Sequence, residues 1–265
     1  MLKDITLGQY FPGDTVVHRL DPRTKLLLVI IYIVGLFNSV GWASYAFVIL
    51  VTALSMAISK IKPRSALKGL KPLVIIIILT AVLNIFYTDG TPIVEGWIIT
   101  WEGIERAVMM SLRIILLIVG TFMLTYTTSP IALTDGLEIM MGPLKKIKIP
   151  VHEMSRMMSM ALRFIPTLIE ETDKIMSAQK ARGADFDSGN LFQRAKALLP
   201  ILVPLFVSAF RRADELAVAM ESRCYHGGEG RTRMKQLKMQ GIDAWALVLG
   251  AMFLSAIFTM KHFGL

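Results

Sequence analysis

A single cysteine, Cys224, stands in 265 residues, so no disulfide can close within the chain, and a reducing, cytoplasm-facing setting fits. The glycine-rich phosphate loop with its lysine is absent, and with it the backbone cradle that an ATPase needs. The 4 histidines, His18, His152, His226 and His262, are scattered. Neither a His-Glu-x-x-His run nor a paired-cysteine spacing exists, so the pattern does not point to zinc. No Asp-rich pair suited to magnesium–diphosphate chemistry is visible. Asp135 and Glu138 share a helix face, and an isolated acid pair of that kind reads as solvated surface. Met1 to Asp14 is polar, holds Gly8, Pro12 and Gly13, and lacks the basic start and apolar core of a signal peptide, so no cleavage is expected. An enzyme reading therefore has no positive ground, and neither a metal nor any other cofactor is expected.

Apolar residues are abundant: 54% of the chain is hydrophobic and the mean hydropathy is +0.57, yet the net charge is +9. A soluble domain rarely combines these, and an all-α polytopic membrane protein does. Four apolar runs come early, Leu26–Phe37, Trp42–Ser59, Leu73–Tyr87 and Val108–Tyr126, and a fifth, Ala244–Met260, comes late. Several fall short of the ~20 residues of an untilted crossing, so polar-tipped flanking residues must complete them. Charge orients the set. Lys3, Arg19, Arg23 and Lys25 precede the first run, while Asn38–Gly41 after it is uncharged. Lys60, Lys62, Arg64, Lys68 and Lys71 separate the second run from the third. Thr88–Glu105 contains no Lys or Arg but holds Asp89, Glu95, Glu102 and Glu105. The positive-inside rule then predicts an inner N-terminus, about five crossings and an outer C-terminus. Basic residues placed by topology argue against a nucleic-acid surface and make the lipid bilayer the first partner.

From Ser129 to Gly241 the character changes, with seventeen of the 29 Lys and Arg residues and twelve of the 20 acidic ones. So much mixed charge does not lie in hydrocarbon. The expected division is a transmembrane region over 1–128, a cytoplasmic or interfacial coupling domain of about three helices over 129–241, and a last transmembrane helix over 242–265. Thr134 or Asp135 begins a short helix that ends near Gly142-Pro143. Pro150 opens a second, running to about Arg182, with Val151, Met154, Met158, Leu162, Ile165 and Ile169 at three- and four-residue spacing. Pro166 should kink it, and Gly183 with Asp185–Asn190 should stop it. A third helical stretch covers about Leu191–Tyr225. Its apolar part, Ala197–Phe210, is interrupted by Pro200 and Pro204 and reads as interfacial or as helical core. His226-Gly227-Gly228 closes that stretch, and Arg231, Arg233, Lys235 and Lys238 lead to the last span.

Two tripeptides repeat one arrangement at the ends of the long helices: Ala181-Arg182-Gly183 and Ser222-Arg223-Cys224. A basic residue at a helix C-terminus complements the dipole and caps carbonyls. It also presents a planar fork of five donors that fits a pocket on another protein. Antiparallel helices would hold the two arginines far apart. Asn84, Arg106 and Arg113 are the ionisable or amide groups near membrane depth, and they keep open a secondary transporter that works without ATPase partners.

Over nearly its whole length the chain resembles the EcfT family, the transmembrane component of energy-coupling factor transporters. The resemblance is carried by Gly8-Gln9-Tyr10, Pro12-Gly13-Asp14, the run His18-Arg19-Leu20-Asp21-Pro22-Arg23-Thr24-Lys25, Ala178–Gly183 and the tripeptide around Arg223. It implies a non-catalytic scaffold of an importer in the bacterial cell membrane. Arg182 and Arg223, with Ala181, Gly183, Ser222 and Cys224 beside them, would contact two ABC-type ATPase subunits. Ser222-Arg223-Cys224 departs from Ala-Arg-Gly, which leaves the roles of its flanking residues open. The resemblance also implies a membrane-embedded substrate-binding S component, one or several, through which a vitamin or micronutrient enters. Met154, Met157, Met158, Leu162 and Ile165 are the residues expected to hold it. Met140, Met141, Met160 and Met176 crowd the same region, and methionine suits either a surface that accepts several partners or ordinary core filling.

Overall fold

The computed structural model describes residues 10–92, 99–147, 150–186, 190–225 and 237–264. Gly8-Gln9, Lys3, Glu95, Lys148, Asp187-Ser188-Gly189, His226-Gly227-Gly228, Arg231, Arg233 and Lys235 lie outside the described residues. The described chain is helical, and its one β pairing is an isolated bridge between Pro92 and Thr100. In order the helices are α1 (Val16–Arg19), α2 (Pro22–Asn38), α3 (Trp42–Ser59), α4 (Pro63–Leu70), α5 (Val74–Tyr87), α6 (Trp101–Thr127), α7 (Pro130–Met140), α8 (Val151–Ala181), α9 (Leu191–Ala197), α10 (Leu199–Glu221) and α11 (Gly241–His262). Each of the five apolar runs falls within one helix, taking the short turn Lys71–Leu73 together with α5. Three of them, α3, α6 and α11, are long and apolar enough to cross a membrane by themselves.

Local chemistry sets several helix starts. Asp21 caps α2 by accepting from the Arg23 amide at 2.9 Å, with Pro22 in the first helical position. Thr100 caps α6 by accepting from the Gly103 amide at 3.1 Å. The short helix expected from Thr134 or Asp135 begins earlier, at Pro130. Ser129 Oγ accepts from the Ala132 amide at 3.3 Å and proline is tolerated at the first helical position, so Ser129-Pro130 is the true start signal. α8 follows Pro150 and runs unbroken through Pro166. The third stretch divides at Leu198 into α9 and α10, just before the prolines that cannot donate to the preceding turn.

Two compact units result, one of Gly8–Gly136 with Leu237–Leu265, the other of Leu137–Gln236. In the first, α5 lies against α6 and α11 against α2, while α2 and α3 both pack on α6. Its core is Leu36, Tyr45, Val48, Leu116, Phe253 and Ile257. Glycines let α2 and α11 approach closely: a Cβ on Gly35 would stand 2.6 Å from the Phe253 ring, and one on Gly250 would stand 2.7 Å from Leu28. Outside this core the unit exposes Ile75, Ile78, Leu79, Leu249 and Met252. A soluble protein avoids contiguous apolar surface of that extent, whereas hydrocarbon accepts it.

A polar knot ties helix ends together at one pole of this unit. Lys25 is buried, and its ammonium donates to His18 O at 3.2 Å and Thr127 O at 2.8 Å. Asp243, also buried, accepts the Asp21 amide at 2.8 Å and the Gln240 amide at 2.7 Å. Arg23 donates to Leu237 O at 3.2 Å. The run His18–Lys25 is therefore the clasp that joins α1, α2, α6 and the start of α11.

Candidate functional site

In the second unit α8 and α10 form an antiparallel pair. Gln179 near the end of α8 donates to Pro200 O at 3.4 Å, near the start of α10. Midway, Glu171 accepts from Ser208 Oγ and from Arg212 Nη2, the latter at 3.0 Å. In the first turns of α8, Arg156 stacks on the ring of Tyr225, 4.5 Å from its centroid, and also reaches His152 Nε2 at 3.1 Å. His152 Nδ1 meets Glu138 Oε1 at 2.8 Å. Contacts that move down α10 as they move up α8 fix the relative direction. Arg223, two residues before Tyr225, thus lies at one end of the pair and Arg182 at the other. At about 1.5 Å per residue along α8 the two are roughly 40 Å apart.

The two tripeptides build the same cap. Gly183 has φ 86°, its amide donates to Lys180 O at 3.0 Å, and the Ala184 amide donates to Gln179 O at 3.0 Å. Cys224 has φ 55°, its amide donates to Glu221 O at 2.8 Å, and the Tyr225 amide donates to Met220 O at 3.1 Å. Both follow the Schellman pattern, with the left-handed residue directly after the arginine. The departure from Ala-Arg-Gly leaves the geometry unchanged, because Cys224 takes the glycine conformation despite its Cβ. Cys224→Gly is therefore expected to preserve the cap. Cys224→Val should weaken it by about 1–2 kcal/mol, seen as faster hydrogen exchange at the Tyr225 amide.

Neither arginine folds back on the chain. Ala181, Arg182, Gly183, Ser222, Arg223 and Cys224 are all exposed. Neither guanidinium has a hydrogen-bond or ion-pair partner among the described residues. The expected methionine face is likewise open: Met154, Met157 and Met158 are 49%, 61% and 53% exposed, with Leu162 and Ile165 half-buried below them. Met140, Met141, Met160 and Met176 are half-buried. Less obvious from sequence is a second open face on α10, where Val203, Phe206, Val207 and Phe210 are exposed instead of forming helical core. Their three- and four-residue spacing was visible. Their lack of an apolar counterpart on α8 was not.

Of the membrane-depth polar groups, Arg113 and Asn84 are hydrogen-bonded within the protein. Arg113 Nε donates to Tyr45 Oη at 2.9 Å and Nη2 to Ser39 O at 3.0 Å, and the guanidinium lies 5.9 Å from the Phe37 ring centroid and 5.8 Å from that of Tyr45. It binds the α2–α3 turn to α6. Asn84 Nδ2 donates one turn back to Thr80 O at 2.8 Å, and Arg106 is exposed on α6.

Glu171 makes the α8–α10 clasp pH-sensitive. The Ser208 hydroxyl, and then Arg212, hold its carboxyl below the usual carboxylate range. Its contribution is complete above the unfolded carboxyl value of about 4.3 and is lost as pH falls through the lower folded value. Spin labels placed across α8 and α10 should separate as the pH falls below the ordinary carboxylate range, and Glu171→Gln should remove that acid transition.

Fold and helix ends together define an all-α polytopic membrane protein that displays a helix pair tipped by two free guanidiniums. A family model described as cobalt transport protein, CbiQ, matches residues 13–235. An energy-coupling factor transporter transmembrane protein EcfT of Clostridium kluyveri is 56% identical over 247 residues, 92% of each chain. Its counterpart in Ruminiclostridium cellulolyticum is 50% identical over 265 residues, 99% of each chain. That of Bacillus subtilis is 46% identical over 264 residues, 98% of this chain and 100% of the relative. The chain belongs to the CbiQ/EcfT family: it is a transmembrane component of energy-coupling factor transporters.

Proposed function

We propose that this subunit couples ATP hydrolysis by two partner ATPases to vitamin or micronutrient uptake through an S component. The observation that carries the reading is the pair of exposed, unpaired arginines on matching caps roughly 40 Å apart along α8. One small pocket does not reach across that span, so each arginine takes its own acidic or carbonyl-lined groove on a separate ATPase. Residues 129–241 act as the coupling region on the cytoplasmic side of the cell membrane, with the N-terminus on the same side. Met154, Met157, Met158, Leu162 and Ile165 hold the S component, and movement of the ATPases toward each other is passed to it through α8 and α10.

Co-purification tests the reading directly. A tagged chain drawn from its native membrane should bring two ATPase subunits per copy, and recovery of an active transporter with no ATPase would overturn it. Cysteines replacing Met154 or Met158 should cross-link to an S component. Cross-links formed solely within the chain would assign these methionines to packing.

A further inference from the structure

Two neighbouring cavities in the unit formed by Gly8–Gly136 and Leu237–Leu265 share Ile58 in their linings. The first, about 620 Å³, opens at the C-terminal end of α3 between the segment Phe11–Val16 and the residues Ser59, Lys60 and Lys62. The second, about 320 Å³, runs alongside α3 and is lined by Leu28, Val51, Met123, Leu249 and Phe253. From Ser59 to Val51 is roughly 12 Å along the helix axis, so the two cavities follow one another from the end of a span toward its apolar depth.

The chemistry changes along that path. At the mouth, Lys60 and Lys62 are exposed and enter no ion pair among the described residues. Ser59 is 2% exposed, and its hydroxyl is buried without a hydrogen-bond partner. The other titratable residues of the mouth are Asp14 and His18. The ring nitrogens of His18 are already held by Thr15 Oγ1 at 2.6 Å and Phe11 O at 3.1 Å. The inner cavity has one charged lining residue, Lys25, whose ammonium is committed to His18 O and Thr127 O. A cationic, hydroxyl-bearing mouth above an apolar channel that follows a membrane span matches one kind of occupant.

We infer that this pair of cavities binds an anionic phospholipid, with its phosphate at Ser59, Lys60 and Lys62 and one acyl chain along α3 toward Phe253. The position fits a lipid of the leaflet that faces the basic ends of the helices. The segment Phe11–Val16 closes the mouth from the other side. It is anchored by the Phe11 amide donating to Tyr126 O at 3.0 Å and by the edge-on contact of the Phe11 and Tyr126 rings. Phosphatidylglycerol is the natural probe.

Thermal unfolding of the delipidated full chain in detergent tests this. Phosphatidylglycerol about a hundredfold above its Kd should raise Tm by roughly 5 °C or more. It should bind about 30-fold more tightly than phosphatidylcholine of the same chains, the preference expected from two lysines near a membrane surface. Inorganic phosphate should do nothing. The double variant Lys60→Gly/Lys62→Ala should lose the preference while keeping the weaker phosphatidylcholine response. Glycine is chosen because Lys60 has φ 54°. Equal response of the wild-type protein to the two lipids, or stabilisation by phosphate alone, would overturn the inference. So would a double variant that keeps the preference. Should that variant not fold, the wild-type comparison decides.

Discussion

Charge reversal at both Arg182 and Arg223 is expected to abolish ATP-driven uptake while leaving the protein folded and inserted. Both side chains are exposed and bind nothing among the described residues, so replacing them removes no internal contact. Their Schellman caps are made by backbone groups and do not depend on the guanidiniums. In a partner groove each guanidinium would be desolvated, and truncating one side of such a contact costs about 2–5 kcal/mol. That is a roughly thirtyfold to several-thousandfold loss of affinity per arginine. Because the two sit at opposite ends of the α8–α10 pair, the single variants should weaken binding independently, and Arg182→Glu/Arg223→Glu should lose both ATPases. Uptake assays with co-purification give the readout. Normal uptake by the double variant would remove the coupling role.

Asp243→Ala should produce the largest loss of stability of any single substitution in the polar knot, about 3–5 kcal/mol. The carboxylate accepts the Asp21 and Gln240 amides at 2.8 and 2.7 Å from a buried position, so truncation strands both donors. It also takes a carboxylate from the neighbourhood of the buried Lys25 ammonium. Asp243→Asn keeps the shape but offers one acceptor oxygen, and an intermediate loss is expected. Lys25→Met in the Asp243→Ala background should recover part of it, because the uncompensated cation goes as well. Thermal unfolding in detergent measures the series. A change below about 1 kcal/mol for Asp243→Ala would show that the knot is decoration and that the glycine-mediated packing of α2 on α11 holds that end alone.

How much was legible beforehand differs from element to element. Each of the five apolar runs lies within a helix, since hydropathy is a local property, but α6 begins about two turns before Val108, at Trp101, where Thr100 caps it. Pro150 and Gly183 marked the ends of α8 because helix termini obey local backbone chemistry. The same kind of signal, Ser129-Pro130, marked the start of α7, although Thr134 and Asp135 were the more conspicuous acidic and hydroxyl residues. Arg113 showed that a deep cation needs partners but did not show which. Tyr45 and Ser39 lie 68 and 74 residues away in sequence, and helix packing alone brings them to it. Ala197–Phe210 looked equally suited to a core or an interface, and exposure of Phe206 and Phe210 separated the two.

The sequence by itself determined the membrane class, the helix ends that carry Arg182 and Arg223, and the family. Each depends on residues close together in the chain or on matches along it. Only the tertiary structure decided that Ser222-Arg223-Cys224 forms the same cap as Ala181-Arg182-Gly183, with cysteine held left-handed. It alone decided that the two arginines are free and far apart, and that His18–Lys25 is a clasp closed by Asp243. The cap is a matter of backbone bonds within one helix end, which a residue with a Cβ does not announce in sequence. Whether a charged group is free or paired depends on what packs beside it: Asp243 reaches Asp21 from 222 residues away, and no described residue packs over either arginine.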